Sequence, residues 1–169
     1  MARRCPADRY RDLVHTARAA IPTLNLTTDL IVGFPGETDA EFAESLAFVE
    51  EIGFGHMHVF TYSPREGTAA ARMRGQLPNA VKRERSKRIK TLAAAMKAER
   101  LAQPVGTTRS VLWEQPVSAE GEQVRWLGYT ANYLRTEAVL PAGVRLENRI
   151  IDTRITAVLD GERLLGAPA

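Results

Sequence analysis

The chain holds a single cysteine, Cys5, among its 169 residues. One thiol excludes an internal disulfide, and it excludes a cage of cysteine ligands for zinc or an iron–sulfur cluster within this chain. Long apolar runs are also missing, since none approaches the roughly 20 residues that cross a bilayer. The charged opening MARRCPADRYRD has no apolar stretch behind it, unlike a secretory signal. These absences predict a cytoplasmic protein that uses no membrane partner.

Charge is distributed unevenly along the chain. Residues 21–64 contain seven acids and no Lys or Arg, whereas residues 65–100 contain eleven bases and three acids. Such a basic block is typical of a surface that binds a polyanion. A helix with a solvated basic face has a basic block of the same kind, and charge alone slightly favours this second interpretation.

Hydrophobic periodicity predicts alternating helices and strands in the first part of the chain. We expect helices over 6–21 and about 80–103, and strands over 24–32 and 56–62. A further helix should begin at Thr38 with a capping box completed by Glu41, and should end at Gly53. The apolar stripe of the first helix is expected to contain Tyr10, Leu13, Val14, Ala17 and Ile21.

This helix–strand alternation is typical of parallel α/β architecture. Two parallel strands are too few to form a stable sheet, so the segment is expected to belong to a larger α/β sheet or barrel. At 103–106 the pattern changes, and short β-type runs follow at 108–114, 123–128, 133–140 and 149–159. The sequence therefore predicts an α/β domain over 1–103 and a small antiparallel β-barrel over 104–169.

Two strings end strands and enter loops, which is where ligands of α/β proteins bind. The first, TDLIVGFPGET, contains a Gly-Pro-Gly loop that could let a flat ligand approach the backbone, or could simply be a tight turn. In the second, HVFTYSPREGT, Arg65 could hold a phosphate or carboxylate, or form an ion pair with Glu66. A His56–His58 metal site is less favoured, because no third ligand is evident. No residue has the motif of a catalytic nucleophile.

Two further features indicate RNA binding. Arg83, Lys87 and Lys90 share one side of the long basic helix, while Arg85 lies on its apolar stripe and is expected to extend outward. Arg125, Tyr129 and Tyr133 surround a turn of the predicted barrel and could hold phosphates and stack on bases. We expect Trp126 to be mainly core.

Together the strings resemble the radical S-adenosylmethionine methylthiotransferases. The residues that carry the resemblance are TDLIVGFPGET, HVFTYSPREGTAAARM, the Lys/Arg-rich helix, GYTANYLR and the opening MARRCPADRYRDLV. The form of the second string resembles most closely the branch that modifies threonylcarbamoyladenosine at position 37 of tRNA. The resemblance implies that residues 1–103 are the second half of a radical barrel and that residues 104–169 are a TRAM domain that binds tRNA.

The resemblance also implies a cofactor and missing parts. S-adenosylmethionine would lie against Ile31, Gly33, Phe60 and Tyr62, whereas Glu37 is expected to be a capping or first-turn acid rather than a ligand. The 4Fe–4S clusters of the family need cysteines that this chain lacks, so the cluster domain and the first barrel half are expected to lie outside it. No catalytic or metal-binding residue is assigned. Two alternatives are a non-catalytic RNA-binding module and a sibling enzyme acting on isopentenyl-adenosine or a ribosomal protein.

Overall fold

A computed structural model describes residues 5–169, so the first four residues of the opening string lie outside the described part. The chain divides into a first unit that ends at Met96 and a second unit from Lys97 to Ala169. The α-helices and strands are, in chain order, α1 Ala7–Ala20, β1 Thr27–Val32, α2 Asp39–Ile52, β2 His56–Thr61, α3 Asn79–Ala102, β3 Thr108–Glu120, β4 Gln123–Thr130, β5 Arg135–Pro141, β6 Arg149–Leu159 and β7 Arg163–Pro168. A short 3-10 helix, Ala70–Arg72, lies between β2 and α3.

The first unit is built on β1 and β2, which pair in parallel from Thr27–His56 to Val32–Thr61 as the sequence predicts. One face of this two-stranded sheet packs in a core with the helices; its buried members are Val14, Val32, Phe42, Val49, Ile52, Phe54, Met57 and Ile89. The other face carries Ile31 and Phe60, which are register partners and are each more than half exposed. The sheet is therefore buried on one side only.

Helix α1 forms as expected, but it buries less of its apolar stripe than predicted. Val14 is buried, and Tyr10 packs against the core. Leu13 and Ile21 are 61% and 51% exposed, so the predicted stripe is wrong at these two positions. Periodicity identifies the apolar face of a helix, whereas the width of the neighbouring sheet decides how much of that face is covered.

Helix α2 begins at the predicted capping box. The Thr38 hydroxyl accepts a hydrogen bond from the Glu41 backbone N–H, and the Glu41 carboxylate accepts one from the Thr38 N–H at 2.8 Å. That bond from the Thr38 backbone, together with one from its hydroxyl, lowers the pKa of Glu41. The helix ends at Gly53, whose φ of 61° is the left-handed conformation that glycine adopts without steric cost.

The second unit contains a closed five-stranded barrel with the strand order β3-β4-β5-β7-β6. Four of its pairings are antiparallel, but β5 and β7 pair in parallel at Thr136–Leu164 and Glu137–Leu165. The prediction of a wholly antiparallel barrel is therefore wrong at this seam. The sequence also missed β7, because RLLGAP is short and contains the Gly and Pro that usually mark a turn.

Two tryptophans fill the barrel. Trp113 and Trp126 are buried with Val111, Ala138 and Leu146, which confirms the assignment of Trp126 to the core. Gly128 leaves room for this packing, since a Cβ atom there would lie 2.6 Å from the Leu112 carbonyl oxygen and 2.9 Å from the Trp113 ring. Both tryptophans of the chain lie in the barrel, so their fluorescence reports on the folding of the second unit alone.

We predict that Gly128→Ala destabilises the barrel by about 1–3 kcal/mol, because the added methyl group forces backbone or Trp113 to move. The measurement is urea unfolding followed by tryptophan fluorescence. Gly143→Ala is the matched control: a Cβ atom there meets nothing within 4 Å, and its free energy of unfolding should stay within about 0.5 kcal/mol of the parent. Equal stability of the two variants would contradict this account of Gly128.

Candidate functional site: a pinned loop and two grooves

The loop after β1 is held by hydrogen bonds at both ends. Gly33 and Gly36 have φ values of 74° and 84°, so both adopt the left-handed conformation. The Gly33 N–H donates to the Glu37 carboxylate at 2.8 Å, and the Gly36 N–H donates to the Gly75 carbonyl oxygen at 2.9 Å. The loop at the carboxyl end of β1 is therefore fixed by specific bonds.

Arg85 of α3 is buried and fixes the same loop. Its Nη1 lies 2.5 Å from the Glu37 carboxylate and 2.9 Å from the Glu37 carbonyl oxygen, and its Nη2 lies 2.6 Å from Asp39. Burial works against the charged form, but the bonds to Asp39 and Glu37 outweigh it and raise the pKa of Arg85. Arg85 therefore does not extend outward. The prediction that Glu37 is a capping or first-turn acid is also wrong: Glu37 precedes the N-cap Thr38, and its carboxylate accepts from Gly33 and Arg85.

Lys82, one turn earlier on α3, holds the end of β2. Its Nζ donates to the Tyr62 carbonyl oxygen at 3.3 Å and lies 5.1 Å from the centre of the Tyr62 ring. Its side chain also fills the space beside Gly33, where a Cβ atom would be 2.7 Å from Lys82 Cγ. The missing side chain of Gly33 thus makes room for α3. Nothing in the sequence marked Lys82 as buried, since a lysine between basic neighbours resembles a solvated one.

The structure separates the four predicted cofactor residues into two pairs. Ile31 and Phe60 lie side by side on the exposed face of the sheet. Gly33 is buried against Lys82, and the half-buried Tyr62 contacts Phe34 with a ring separation of 5.3 Å. The Tyr62 hydroxyl is buried and has no hydrogen-bond partner in the described part of the chain.

We predict that Arg85→Ala lowers the free energy of unfolding of the first unit by about 2–4 kcal/mol, because it leaves the Glu37 carboxylate without its buried partner. Urea unfolding followed by circular dichroism at 222 nm measures this loss. Arg88→Ala is the matched control: Arg88 is exposed and lies over the Phe42 ring at 5.1 Å, so its removal should cost at most about 1 kcal/mol. Similar losses for both variants would show that the Glu37 contact contributes little.

The exposed side of α3 forms a basic groove with a volume of about 540 Å³. Arg83, Lys87 and Lys90 line it, as their common side of the helix predicts, and all three are exposed. The other residues that line it include the hydroxyl residues Thr61, Ser86 and Thr91, and none is acidic. We call this surface the helix groove. Arg65 is exposed in the turn after β2 and does not line it.

A second groove, of about 650 Å³, lies on the barrel and contains both predicted tyrosines. We call it the barrel groove; its lining includes Leu112, Glu114, Tyr129, Thr130, Tyr133 and Ile150. Arg125 does not line this groove and lies 3.7 Å from the buried carboxylate of Glu137. The sequence grouped Arg125 with the tyrosines because they are close along the chain, and it missed Leu112 and Ile150, which come from other strands.

Glu137 is neutralised mainly by β7. Arg163 forms ion pairs with Glu137 and Asp160. Hydrogen bonds to Asp160 and Glu137 raise the pKa of Arg163 above its ordinary value. Arg125 adds a second positive charge beside the same buried carboxylate, so part of its charge serves the barrel rather than a ligand.

Tyr133 is held in a strained conformation, with a φ of 62° and a side chain that is 83% exposed. We predict that Tyr133→Asn raises the free energy of unfolding of the barrel by roughly 1 kcal/mol, because asparagine adopts the left-handed conformation more easily than a bulky residue. Tryptophan fluorescence during thermal unfolding would show this as a higher Tm. Tyr129→Asn, at a half-buried strand position, should lower the Tm; a Tyr133→Asn variant with a lower Tm would contradict the strain.

The remaining candidates show little organisation. The rings of His56 and His58 are 4.7 Å apart, and no group of three His, Cys, Asp or Glu side chains is placed to share a metal ion between residues 5 and 169. In that same part of the chain, no helix has the length and apolar character needed to cross a membrane.

The fold and its grooves define a class: an α/β unit and a closed five-stranded barrel, each with a groove suited to a polar, anionic or aromatic ligand. Comparison with known proteins shows which proteins of this architecture the chain is similar to. The tRNA-2-methylthio-N(6)-dimethylallyladenosine synthase of Moorella thermoacetica is 38% identical over 163 residues, which are 94% of this chain and 36% of that protein. That of Geobacillus kaustophilus is 38% identical over 156 residues, 92% of this chain and 29% of that protein.

The synthase of the same name from Bacillus subtilis is 43% identical over 114 residues, which are 68% of this chain and 22% of that protein. No family model matches the sequence. The chain spans between 22% and 36% of the length of these curated relatives. These relatives support the relationship to the radical S-adenosylmethionine methylthiotransferase family and give no support to the threonylcarbamoyladenosine branch.

Proposed function

We propose that this chain is the C-terminal part of a tRNA methylthiotransferase that acts on dimethylallyladenosine, the isopentenyl-adenosine alternative of the sequence analysis. The similarity to synthases of that name over as much as 96% of the chain carries the proposal. It favours this substrate over threonylcarbamoyladenosine, which rests on the HVFTYSPREGTAAARM string alone. In this proposal the barrel is the TRAM domain and the first unit is the second half of the radical barrel.

The helix groove is the proposed site for tRNA phosphates. Arg83, Lys87 and Lys90 bring three positive charges to one surface, and the neighbouring hydroxyl groups can donate hydrogen bonds to phosphate oxygens. No carboxylate among the residues that line the groove opposes an anion. In the same proposal Arg65, Arg125, Tyr129 and Tyr133 are further RNA contacts, with Arg125 weakened by its ion pair to Glu137.

Ile31 and Phe60 are the residues that fit S-adenosylmethionine best. They present adjacent apolar side chains on an open face, on which a flat adenine ring could pack. Gly33 and Tyr62 would act behind this face, since α3 covers Gly33 and holds the Tyr62 backbone. When bound, the cofactor supplies sulfonium chemistry that depends on a reductant. A 4Fe–4S cluster does not fit this chain, which has one cysteine.

In this proposal the chain binds the tRNA and S-adenosylmethionine, and the electrons come from parts of the protein outside this chain. If the chain is instead a non-catalytic RNA-binding module, the same residues contact RNA, but Ile31 and Phe60 bind no cofactor. The two alternatives can be distinguished by measuring S-adenosylmethionine binding after the chain is combined with a segment that carries the cluster. If the chain is part of the enzyme, Ile31→Glu should weaken that binding; if it is only an RNA-binding module, Ile31→Glu should have no effect on it.

We predict that reversing Arg83, Lys87 and Lys90 to Glu weakens binding of unmodified tRNA and flattens its salt dependence. Each phosphate contact lowers log K by about 0.7–0.9 per tenfold increase in salt, so loss of three contacts should reduce the slope by about 2–3. Electrophoretic mobility shift across a salt titration measures both effects.

The matched control keeps all three charges, as Arg83→Lys, Lys87→Arg and Lys90→Arg, and should bind like the parent because phosphate contacts depend mainly on charge. Circular dichroism should show both variants folded, since all three side chains are exposed. Parent-like affinity of the reversed variant at every salt concentration would mean that the helix groove is only a solvated face.

A further inference from the structure

A row of side chains crosses four strands on the outside of the barrel. Tyr129 is the register partner of both Arg135 and Leu112, and Leu112 is also the partner of Ile150. Register partners point to the same side of a sheet, so the row reads Arg135, Tyr129, Leu112, Ile150 across β5, β4, β3 and β6. Leu112 and Ile150 are 40% and 73% exposed. The row is thus an aromatic and aliphatic surface next to the exposed Arg135, which does not itself line the barrel groove and whose charge also acts on Asp160.

Tyr133 stands at the edge of this surface in a turn that is already ordered. The Tyr133 N–H donates to the Thr130 carbonyl oxygen at 2.9 Å, and the Thr130 hydroxyl accepts from the Leu134 N–H at 3.0 Å. These bonds hold Tyr133 in the left-handed conformation although its ring is almost fully exposed. Because the backbone of the turn is already fixed, only the side-chain rotation of Tyr133 remains to be ordered when its ring contacts a ligand.

Glu114 gives the groove a hydrogen-bond acceptor. Its exposed carboxylate lines the same cavity as Tyr129, Tyr133 and Ile150. In the described part of the chain, the ion pairs of this unit involve other acids: Glu137, Asp160 and Glu162. A carboxylate beside stacking surfaces accepts hydrogen bonds from the N–H groups of a flat heterocycle.

We propose that the barrel groove binds one unpaired nucleobase of RNA and prefers guanine. The base would stack on Tyr133 and on the Tyr129–Leu112–Ile150 surface, and its phosphate would lie toward Arg135. Guanine alone offers the Glu114 carboxylate two adjacent donors, N1–H and the exocyclic amino group, whereas adenine places the N1 acceptor there. The proposal rests on the proposed function in taking RNA as the partner, and it adds a base-selective site to it.

Charge argues for a nucleotide over an apolar protein surface. A purely hydrophobic partner would bury the Glu114 carboxylate without a donor, at a cost of several kcal/mol. A nucleotide instead supplies N–H donors for Glu114, an anionic phosphate for Arg135 and an aromatic face for the tyrosines. The same argument makes a second copy of this chain a poorer occupant, because its groove carries the same carboxylate.

The test uses the full chain and three fluorescein-labelled hexaribonucleotides that consist of uridine except for guanosine, inosine or adenosine at the third position. Fluorescence anisotropy should give the guanosine strand about five- to tenfold tighter binding than the adenosine strand, with inosine between them because it lacks the amino group. Glu114→Gln should remove this preference. Equal affinity for all three strands would overturn the selectivity.

Tyr133→Ala should weaken the guanosine strand by about five- to a hundredfold without changing the salt slope, as expected for loss of stacking. Tyr133→Phe is the matched control, since it keeps the ring and should bind like the parent. Ile150→Asp, at an exposed position, tests the surface without involving the strained turn. Parent-like affinity of both Tyr133→Ala and Ile150→Asp would overturn the site.

These outcomes separate the two proposals. If the charge-reversed helix variant loses tRNA while the barrel-groove variants bind the guanosine strand normally, the base site is wrong and the RNA role of the chain stands. If the parent binds no oligonucleotide, the base site is wrong whatever tRNA does. If Ile150→Asp instead converts a dimer into a monomer in analytical ultracentrifugation, the groove is occupied by a second copy and the base site is again wrong.

Discussion

The buried ion pair between Arg85 and Glu37 determines the organisation of the first unit. A guanidinium out of water needs partners for its N–H groups, and Glu37 and Asp39 supply them. Because Glu37 also accepts from the Gly33 N–H, the same bond that anchors α3 shapes the loop at the end of β1. The helix, the loop and the strand are thereby fixed together by one set of charges.

The rotation of α3 follows from this anchor. Residues 82, 85 and 89 lie on one side of an α-helix, so fixing Arg85 also directs Lys82 to Tyr62 and Ile89 into the core. Residues 83, 87 and 90 must then face the opposite way. One buried cation thus decides which of its basic neighbours remain free for an anion, and the helix groove is a consequence of that choice.

The barrel is organised by shape rather than by charge. Two tryptophan side chains fill its interior, and Gly128 gives them room. With the interior full, the alternation of the strands places Tyr129, Leu112 and Ile150 outside in one row. Exposed aliphatic side chains in a contiguous patch are uncommon on a protein with no partner. Tyr133 is held at a strained φ beside this patch, and both features indicate a binding surface.

The sequence by itself determined the local features of this protein: the parallel strands, the capping box of α2, the long basic helix and the core role of Trp126. These depend on periodicity and on hydrogen bonds between residues near each other in the chain, so a short string contains them. The motif strings also gave the resemblance to the methylthiotransferases, which the relatives support for the family but not for the threonylcarbamoyladenosine branch.

Only the tertiary structure decided which charges are free. Lys82 and Arg85 belong to the same basic run as Lys87 and Lys90, and Arg125 follows the barrel pattern. Yet Lys82, Arg85 and Arg125 are each engaged by a distant part of their own unit. The parallel pairing of β5 with β7 and the row from Arg135 to Ile150 likewise join separate strands. Such contacts bring together residues far apart in sequence, and the energy that selects them comes from burial and pairing, which no local pattern records.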